Sequence, residues 1–177
     1  MDDGSTDETR KVMKTYSGKI KPLILKKNVG LAAARNEGIK SALGRFVVNL
    51  DADDYMDENL LHIEMTFLNF NPTWDAVSCD YFLVDEDEKH IGRISGAEKP
   101  IACGVMFRTD LLFEIGLYDE KFKFREEEDL RLRFEKNHLI RNIELPLYRY
   151  RKHDKNMTNN KKKMDEYKKA LKKKHKK

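Results

Sequence analysis

The sequence has few of the features that mark secreted, membrane-spanning or disordered proteins. Its 177 residues include only two cysteines, four prolines and nine glycines. No apolar run approaches the roughly 18 residues that a membrane-spanning helix needs, and the polar N-terminus lacks a secretory signal. Two cysteines cannot form a disulfide framework, so we interpret Cys79 and Cys103 as buried thiols in a reducing compartment. We therefore predict a cytoplasmic protein.

Charge is present in quantity but is unevenly distributed. Residues 161–177 contain ten lysines and two acidic residues, a charge of +8, whereas residues 1–160 carry 25 basic and 29 acidic side chains. A mildly acidic body does not suit nucleic acid, which is therefore excluded as a partner. We divide the chain into a domain over residues 1–158 and a lysine-rich tail over residues 159–177.

The tail has one weak pattern of its own. Met164, Tyr167 and Leu171 are spaced as a narrow apolar stripe on a helix. Such a stripe among lysines could touch anionic lipid headgroups at the inner face of a membrane. A frayed, solvated helix is the alternative, and charge runs favour it.

Hydrophobic periodicity and turn residues predict an alternation of helices and strands. Predicted helices cover residues 6–16, 30–43, 57–71, 109–116 and 127–137, and predicted strands cover residues 20–25, 46–50, 76–84, 90–94, 101–107, 140–143 and 147–150. Early alternation followed by a strand-rich half favours an α/β fold with a mainly parallel, mixed sheet flanked by helices.

An acidic cluster follows the apolar strand at residues 46–50. Asp51 and Asp53 are two positions apart, so in an extended segment their side chains point the same way. Two such carboxylates repel unless a cation lies between them, and oxygen ligands suit Mg²⁺ or Mn²⁺ carrying phosphate oxygens. The alternative is a solvated turn that caps the next helix, although Asp57 is available for that cap.

Two further features are ambiguous when taken alone. Asp3 lies in an acidic turn before a helix, where an acid either caps the helix or accepts hydrogen bonds from a ligand such as a nucleobase. Arg35 flanks the apolar stripe of its helix. Either its aliphatic stem covers apolar surface while its charge stays in water, or its guanidinium binds a phosphate or a carboxylate.

Taken together, these segments resemble the family-two glycosyltransferases of the GT-A fold. The resemblance covers about residues 2–158 and rests on the order and spacing of several motifs. These are Asp2-Asp3-Gly4-Ser5-Thr6-Asp7, Asn28-Val29-Gly30-Leu31-Ala32-Ala33-Ala34-Arg35-Asn36, Leu50-Asp51-Ala52-Asp53-Asp54, Gly104-Val105-Met106-Phe107-Arg108, Ile115-Gly116-Leu117-Tyr118-Asp119-Glu120, Glu128-Asp129 and Tyr148-Arg149-Tyr150-Arg151-Lys152-His153.

The resemblance implies a donor side of the site. Asp3 is expected to contact the uracil of a nucleotide donor, and Arg35 is expected to lie near that donor. Asp51 and Asp53 would be the D-x-D pair, with Asp53 the main contact to Mn²⁺ or Mg²⁺. His153 would lie close to the metal and the diphosphate.

It also implies a catalytic side. Asp129, next to Glu128, would be the base that deprotonates the acceptor hydroxyl, because an inverting transfer needs a carboxylate opposite the leaving group. Without the resemblance, an acidic run at residues 126–129 is equally well explained as a solvated helix start.

The resulting prediction is metal-assisted transfer of a sugar, with inversion, from a nucleotide-diphosphate donor, UDP above all, to a glycan or lipid-linked hydroxyl acceptor. The family normally has a strand, helix and second strand before the Asp2-Asp3-Gly4 turn, so we expect a domain incomplete at its N-terminus. An open sheet edge near residues 20–25 would then favour dimerisation. The alternatives are an inactive remnant or partner-binding module and, less favoured, a D-x-D phosphatase with an aspartyl nucleophile.

Overall fold

The structure, a computed structural model that describes residues 1–176, is built on a six-stranded sheet. The strands are β1 (Phe46–Val48), β2 (Tyr55–Met56), β3 (Ala76–Val84), β4 (His90–Ile94), β5 (Val105–Arg108) and β6 (Ile140–Arg151). Their order is β1-β5-β3-β6-β2, and β4 pairs with β3 beyond this path. The helices are α1 (Thr9–Thr15), α2 (Leu31–Ser41), α3 (Leu60–Phe70), α4 (Thr109–Glu114), α5 (Glu126–Phe134) and α6 (Lys161–His175).

The mixed sheet flanked by helices confirms the predicted fold class, with one correction to its pairing. Among the strands described, β3 and β6 run parallel, whereas the other four pairs are antiparallel. The short connection between β3 and β4 explains part of the difference, because a tight turn can join only antiparallel strands.

The core lies on both faces of the central strand β3, most of which is buried. One apolar cluster joins α2, α4 and α5 to the sheet through residues that include Ile39, Leu112 and Phe134. Leu68 of α3 packs in a second cluster with Val77. These clusters hold α2 and α5 against the sheet, and both helices supply side chains to the site described below.

Two strand predictions are wrong in detail. Residues 20–25 form no extended strand; Ile24 pairs with Asp2 and Ile20 with Ser17 in isolated bridges. Pro22 has no backbone N–H to donate there, which limits pairing. The two predicted strands at residues 140–143 and 147–150 are one strand, β6, whose pairing with β3 shifts register beside Pro146.

The tail is a helix that packs on the body, so the expectation of a frayed, solvated helix is wrong. The stripe predicted from the sequence faces inward: Leu171 is buried, and the Tyr167 ring lies 5.7 Å from Phe124 and 6.1 Å from Phe122 between centroids. The stripe is therefore unavailable for lipid headgroups. In residues 1–176 no helix combines the length and apolar character needed to cross a bilayer.

Candidate active site

A cavity of about 490 Å³ opens beyond the carboxyl end of β1. Its walls come from the Asp51–Asp54 loop, from residues 100–103 and from the start of α5. A second, more open groove of about 1010 Å³ shares Arg35 and Asp51 with this cavity and extends to Asp3. The fold thus brings the acidic loop after β1 and the acidic start of α5 to one space.

Arg35 lies between these two acidic segments. Its guanidinium is buried and donates from Nη2 to Asp51 Oδ1 at 2.8 Å and from Nη1 to Glu126 Oε1 at 2.7 Å. Burial acts to lower the pKa of Arg35, but the neighbouring groups, including Asp51 and Glu126, raise it above its ordinary value. The sequence predicts a divalent cation between Asp51 and Asp53. In the structure, the cation that pairs with Asp51 is the permanently charged guanidinium of Arg35.

Asp53 pairs with a different side chain, that of His153. Its Oδ2 lies 2.9 Å from His153 Nε2, 100 residues further along the chain. His153 Nδ1 accepts a hydrogen bond from the Lys155 backbone N–H at 3.1 Å. Because Nδ1 is the acceptor there, Nε2 carries the proton and donates to Asp53. The expected proximity of these two residues is present in the structure.

Asp54, which we did not single out from the sequence, anchors the loop to β6. It accepts hydrogen bonds from the Tyr148 hydroxyl and the Arg151 backbone N–H, both at 2.8 Å. Burial raises the pKa of Asp54 to about 6, against the effect of these hydrogen bonds. The Arg151 side chain adds a hydrogen bond to the Asp53 carbonyl at 2.9 Å, so the loop is held at two successive residues.

On the opposite wall, the carboxylates that face the cavity are Glu126 and Glu127. Glu126 is bound by Arg35, whereas Glu127 is partly buried with no ion pair among the described residues. Burial, followed by the charge of Glu126, raises the pKa of Glu127 to about 7. A carboxylate with this pKa can accept a proton near neutral pH, as a general base must.

Asp129, the predicted base, lies elsewhere. Its side chain is fully buried, and its oxygens contact Arg133 Nε at 2.9 Å, Lys174 Nζ at 2.6 Å and His175 Nε2 at 2.8 Å. These contacts hold the pKa of Asp129 below its ordinary value despite its burial. Glu128 is paired with Arg125. Helical geometry explains the difference, because residues two apart point to different sides of a helix.

Asp3 borders the groove, but its carboxylate already has partners. Its oxygens accept hydrogen bonds from the backbone N–H groups of Val29 and Gly30, at 2.8 and 3.0 Å, immediately before α2. Asp2 is buried and binds the Ser5 N–H and Arg10. Hydrogen bonds from Ser5 lower the pKa of Asp2 to about 2. The acidic turn thus joins α1 and α2 along one side of the groove.

The donor atoms here fit a divalent cation shared with phosphate oxygens. Residues 1–176 contain no group of three or more His, Cys, Asp or Glu side chains that could hold a metal ion by themselves. Mg²⁺ and similar hard cations often bind one or two carboxylates and take their other ligands from substrate phosphates and water. Asp53 can supply one such oxygen, and His153 can supply a nitrogen only if its proton moves to Nδ1.

Comparison with known proteins identifies the family of the chain. Residues 1–143 match the sequence model of glycosyl transferase family 2. An uncharacterised glycosyltransferase of Rickettsia conorii is 31% identical over 140 residues, which are 72% of this chain and 23% of that protein. The UDP-Glc:alpha-D-GlcNAc-diphosphoundecaprenol beta-1,3-glucosyltransferase WfgD of Escherichia coli is 40% identical over 68 residues, 38% of this chain and 27% of that one.

Solved structures give the same fold at lower identity. The chain matches S. aureus TarS 1-349 in complex with UDP with a TM-score of 0.70 and 21% identity, over 85% of this chain and 49% of that one. It matches the mannosyltransferase PcManGT from Pyrobaculum calidifontis, in complex with GDP-Man and Mn²⁺, with a TM-score of 0.72 and 16% identity, over 96% and 53%. The chain spans about a quarter to a half of the length of its Rickettsia relatives. With most of its length matched by the family model and the same fold in solved transferases, the chain belongs to glycosyl transferase family 2.

Proposed function

We propose that this chain transfers a glycosyl group, with inversion, from a nucleoside-diphosphate sugar to a hydroxyl acceptor, and that Glu127 replaces the predicted Asp129 as the base. The observation that carries the proposal is one cavity with the Asp51–Asp54 loop on one wall and Glu127, with a pKa of about 7, on another. An inverting transfer needs a group that serves the departing diphosphate on one side of the sugar and a base that takes the proton of the acceptor hydroxyl on the other side.

In the proposed reaction, the acceptor oxygen forms a bond to the anomeric carbon as the bond from that carbon to the diphosphate oxygen breaks. Glu127 takes the proton of the acceptor hydroxyl, and the nucleoside diphosphate leaves with the electron pair. Arg35 holds Asp51 and Glu126, the carboxylates beside the two reacting ends, in fixed positions. A Mn²⁺ or Mg²⁺ ion held by Asp53, with His153 as a second ligand, would stabilise charge on the departing diphosphate.

The donor is proposed to lie in the groove that leads from Asp51 to Asp3. UDP remains our preferred nucleotide, supported by the names of WfgD and of the TarS complex. Because both Asp3 oxygens already accept backbone N–H groups, a uracil contact would have to share an oxygen with them.

For the acceptor we propose a glycan or a lipid-linked glycan in polysaccharide biosynthesis. The names of WfgD and of the putative teichuronic acid biosynthesis glycosyltransferase TuaG of Bacillus subtilis support this class. Cytoplasmic location and dimerisation near residues 20–25 stay predictions. Any contact with an anionic membrane would use the exposed lysines of α6, because its apolar stripe is buried. Sedimentation with anionic and neutral vesicles at low and high salt tests for this contact.

The experiment that tests the function is turnover of a panel of nucleoside-diphosphate sugars by the wild type and by two matched variants. Glu127→Gln is expected to lower kcat by about 10²-fold or more, with donor affinity unchanged, as for a lost general base. Asp129→Asn is expected to lower the stability of α5, since that side chain is fully buried among its ion pairs outside the cavity. Normal turnover by Glu127→Gln would contradict the assignment, and phosphate release with a phosphorylated Asp51 would favour the phosphatase alternative.

A further inference from the structure

The C-terminal helix α6 contacts the segment that delivers Glu126 and Glu127 to the cavity. Near its first turn, the Met164 carbonyl accepts a hydrogen bond from Arg125 Nε at 2.8 Å. Arg125 immediately precedes α5 and has a φ of 59°, a left-handed conformation that residues other than glycine seldom adopt. Such a conformation persists where surrounding contacts hold it, and α6 supplies one of those contacts.

The last turn of α6 contacts α5 at a second point. Lys174 Nζ lies 2.6 Å from Asp129 Oδ1 and 2.7 Å from Asp119 Oδ2, and His175 Nε2 lies 2.8 Å from Asp129 Oδ1. Asp129 is fully buried, and a buried carboxylate is stable only when cations and hydrogen bonds compensate its charge. Two of the three basic side chains around it come from α6.

These two contacts lie on either side of Glu126 and Glu127 in the sequence. Between them, Tyr167 packs on Phe122 and Phe124, in the loop that leads into α5. We propose that α6 positions the start of α5, with Lys174 and His175 as positioning residues that act through Asp129 on the cavity carboxylates. The catalytic part of this inference rests on the proposed function, whereas its structural part does not.

The test compares Lys174→Met combined with His175→Asn against Lys173→Met. Lys173 is the exposed neighbour on α6 and has no ion pair among residues 1–176, so its variant removes the same charge without the contact. Amide hydrogen exchange reports on α5 directly. We expect about tenfold faster exchange confined to Glu126–Phe134 in the double variant and wild-type exchange in Lys173→Met.

Turnover provides the second readout. In the double variant we expect kcat to fall about tenfold while the donor KM changes less than about twofold. A variant with Lys174→Arg in place of Lys174→Met should recover most of the lost kcat. Unchanged exchange in α5 overturns the proposal, and so does a loss of protection across the whole sheet, which would mean general stabilisation. Faster exchange in α5 in a chain that shows no turnover with any donor supports the positioning role and contradicts the proposed function.

Discussion

Arg35 and Glu126 form a buried ion pair across the site, with 2.7 Å between Nη1 and Oε1, although they are 91 residues apart in the sequence. The pair joins the middle of α2 to the first residue of α5. Since Arg35 also binds Asp51, one guanidinium sets the relative position of the Asp51–Asp54 loop and the start of α5.

Removing Arg35 should therefore destabilise the fold. Arg35→Met leaves Glu126 buried without its cation, and breaking a buried pair in this way costs about 3–5 kcal/mol. Urea denaturation followed by circular dichroism measures the loss. Lys40→Met, on the same helix but exposed, is the matched control and should stay within about 0.5 kcal/mol. Addition of Glu126→Gln to Arg35→Met should recover part of the loss, and strict additivity of the two changes would contradict a direct pair.

Asp53 should govern metal-dependent binding of the donor. Asp53→Ala removes one of the carboxylates that face the cavity, and the Asp53 side chain is itself exposed, so we expect a folded protein. Titration calorimetry with UDP should show binding that requires Mn²⁺ or Mg²⁺ in the wild type and is lost in the variant. Asp57→Ala, which alters an acid outside the cavity, is the control. Unchanged nucleotide binding in excess chelator would exclude the metal role.

Glu64 should make the stability fall as the pH rises. Its side chain, on α3, is fully buried, neither oxygen has a hydrogen-bonding partner among the described residues, and burial raises its pKa from 4.5 to about 9. The folded state thus keeps a proton that the unfolded chain releases above pH 4.5. The free energy of unfolding should decline between about pH 5 and 9, by at most about 1.4 kcal/mol for each pH unit.

Glu64→Met keeps the volume and removes the titrating group. Urea denaturation at several pH values should show that the difference in stability between this variant and the wild type grows as the pH rises through that range. A constant difference would mean that Glu64 is ionised in the folded protein.

Deletion of residues 161–177 should lower the melting temperature. The deletion exposes apolar surface under Tyr167 and Leu171 and takes two basic partners from Asp129. Burial of one leucine alone stabilises by about 1.5–3 kcal/mol, which corresponds to several degrees in a domain of this size. Scanning calorimetry measures the shift. The variant Lys168→Gln/Lys169→Gln, which changes only exposed side chains of α6, should melt as the wild type does.

Periodicity and local motifs were sufficient for several features. The apolar strand before Asp51, the helix that carries Arg35 and the buried thiols Cys79 and Cys103 were predicted and are present. Such features depend on neighbours in the chain, which a sequence displays directly. Among the four successive acids at residues 126–129 the sequence favours Asp129, whereas Glu126 and Glu127 line the cavity, because the turn of the helix sends neighbouring side chains to different sides.

The sequence by itself thus determined most of the helices and strands around the site, the acidic loop after β1 and the resemblance to a transferase family. Only the tertiary structure decided which charges meet. Arg35 pairs with Glu126, Asp53 with His153 and Asp129 with Lys174, over separations of 91, 100 and 45 residues. A charge alone does not specify its partner; for Glu126 and Asp129 burial does, because a carboxylate removed from water is stable only beside the cation that packing brings to it.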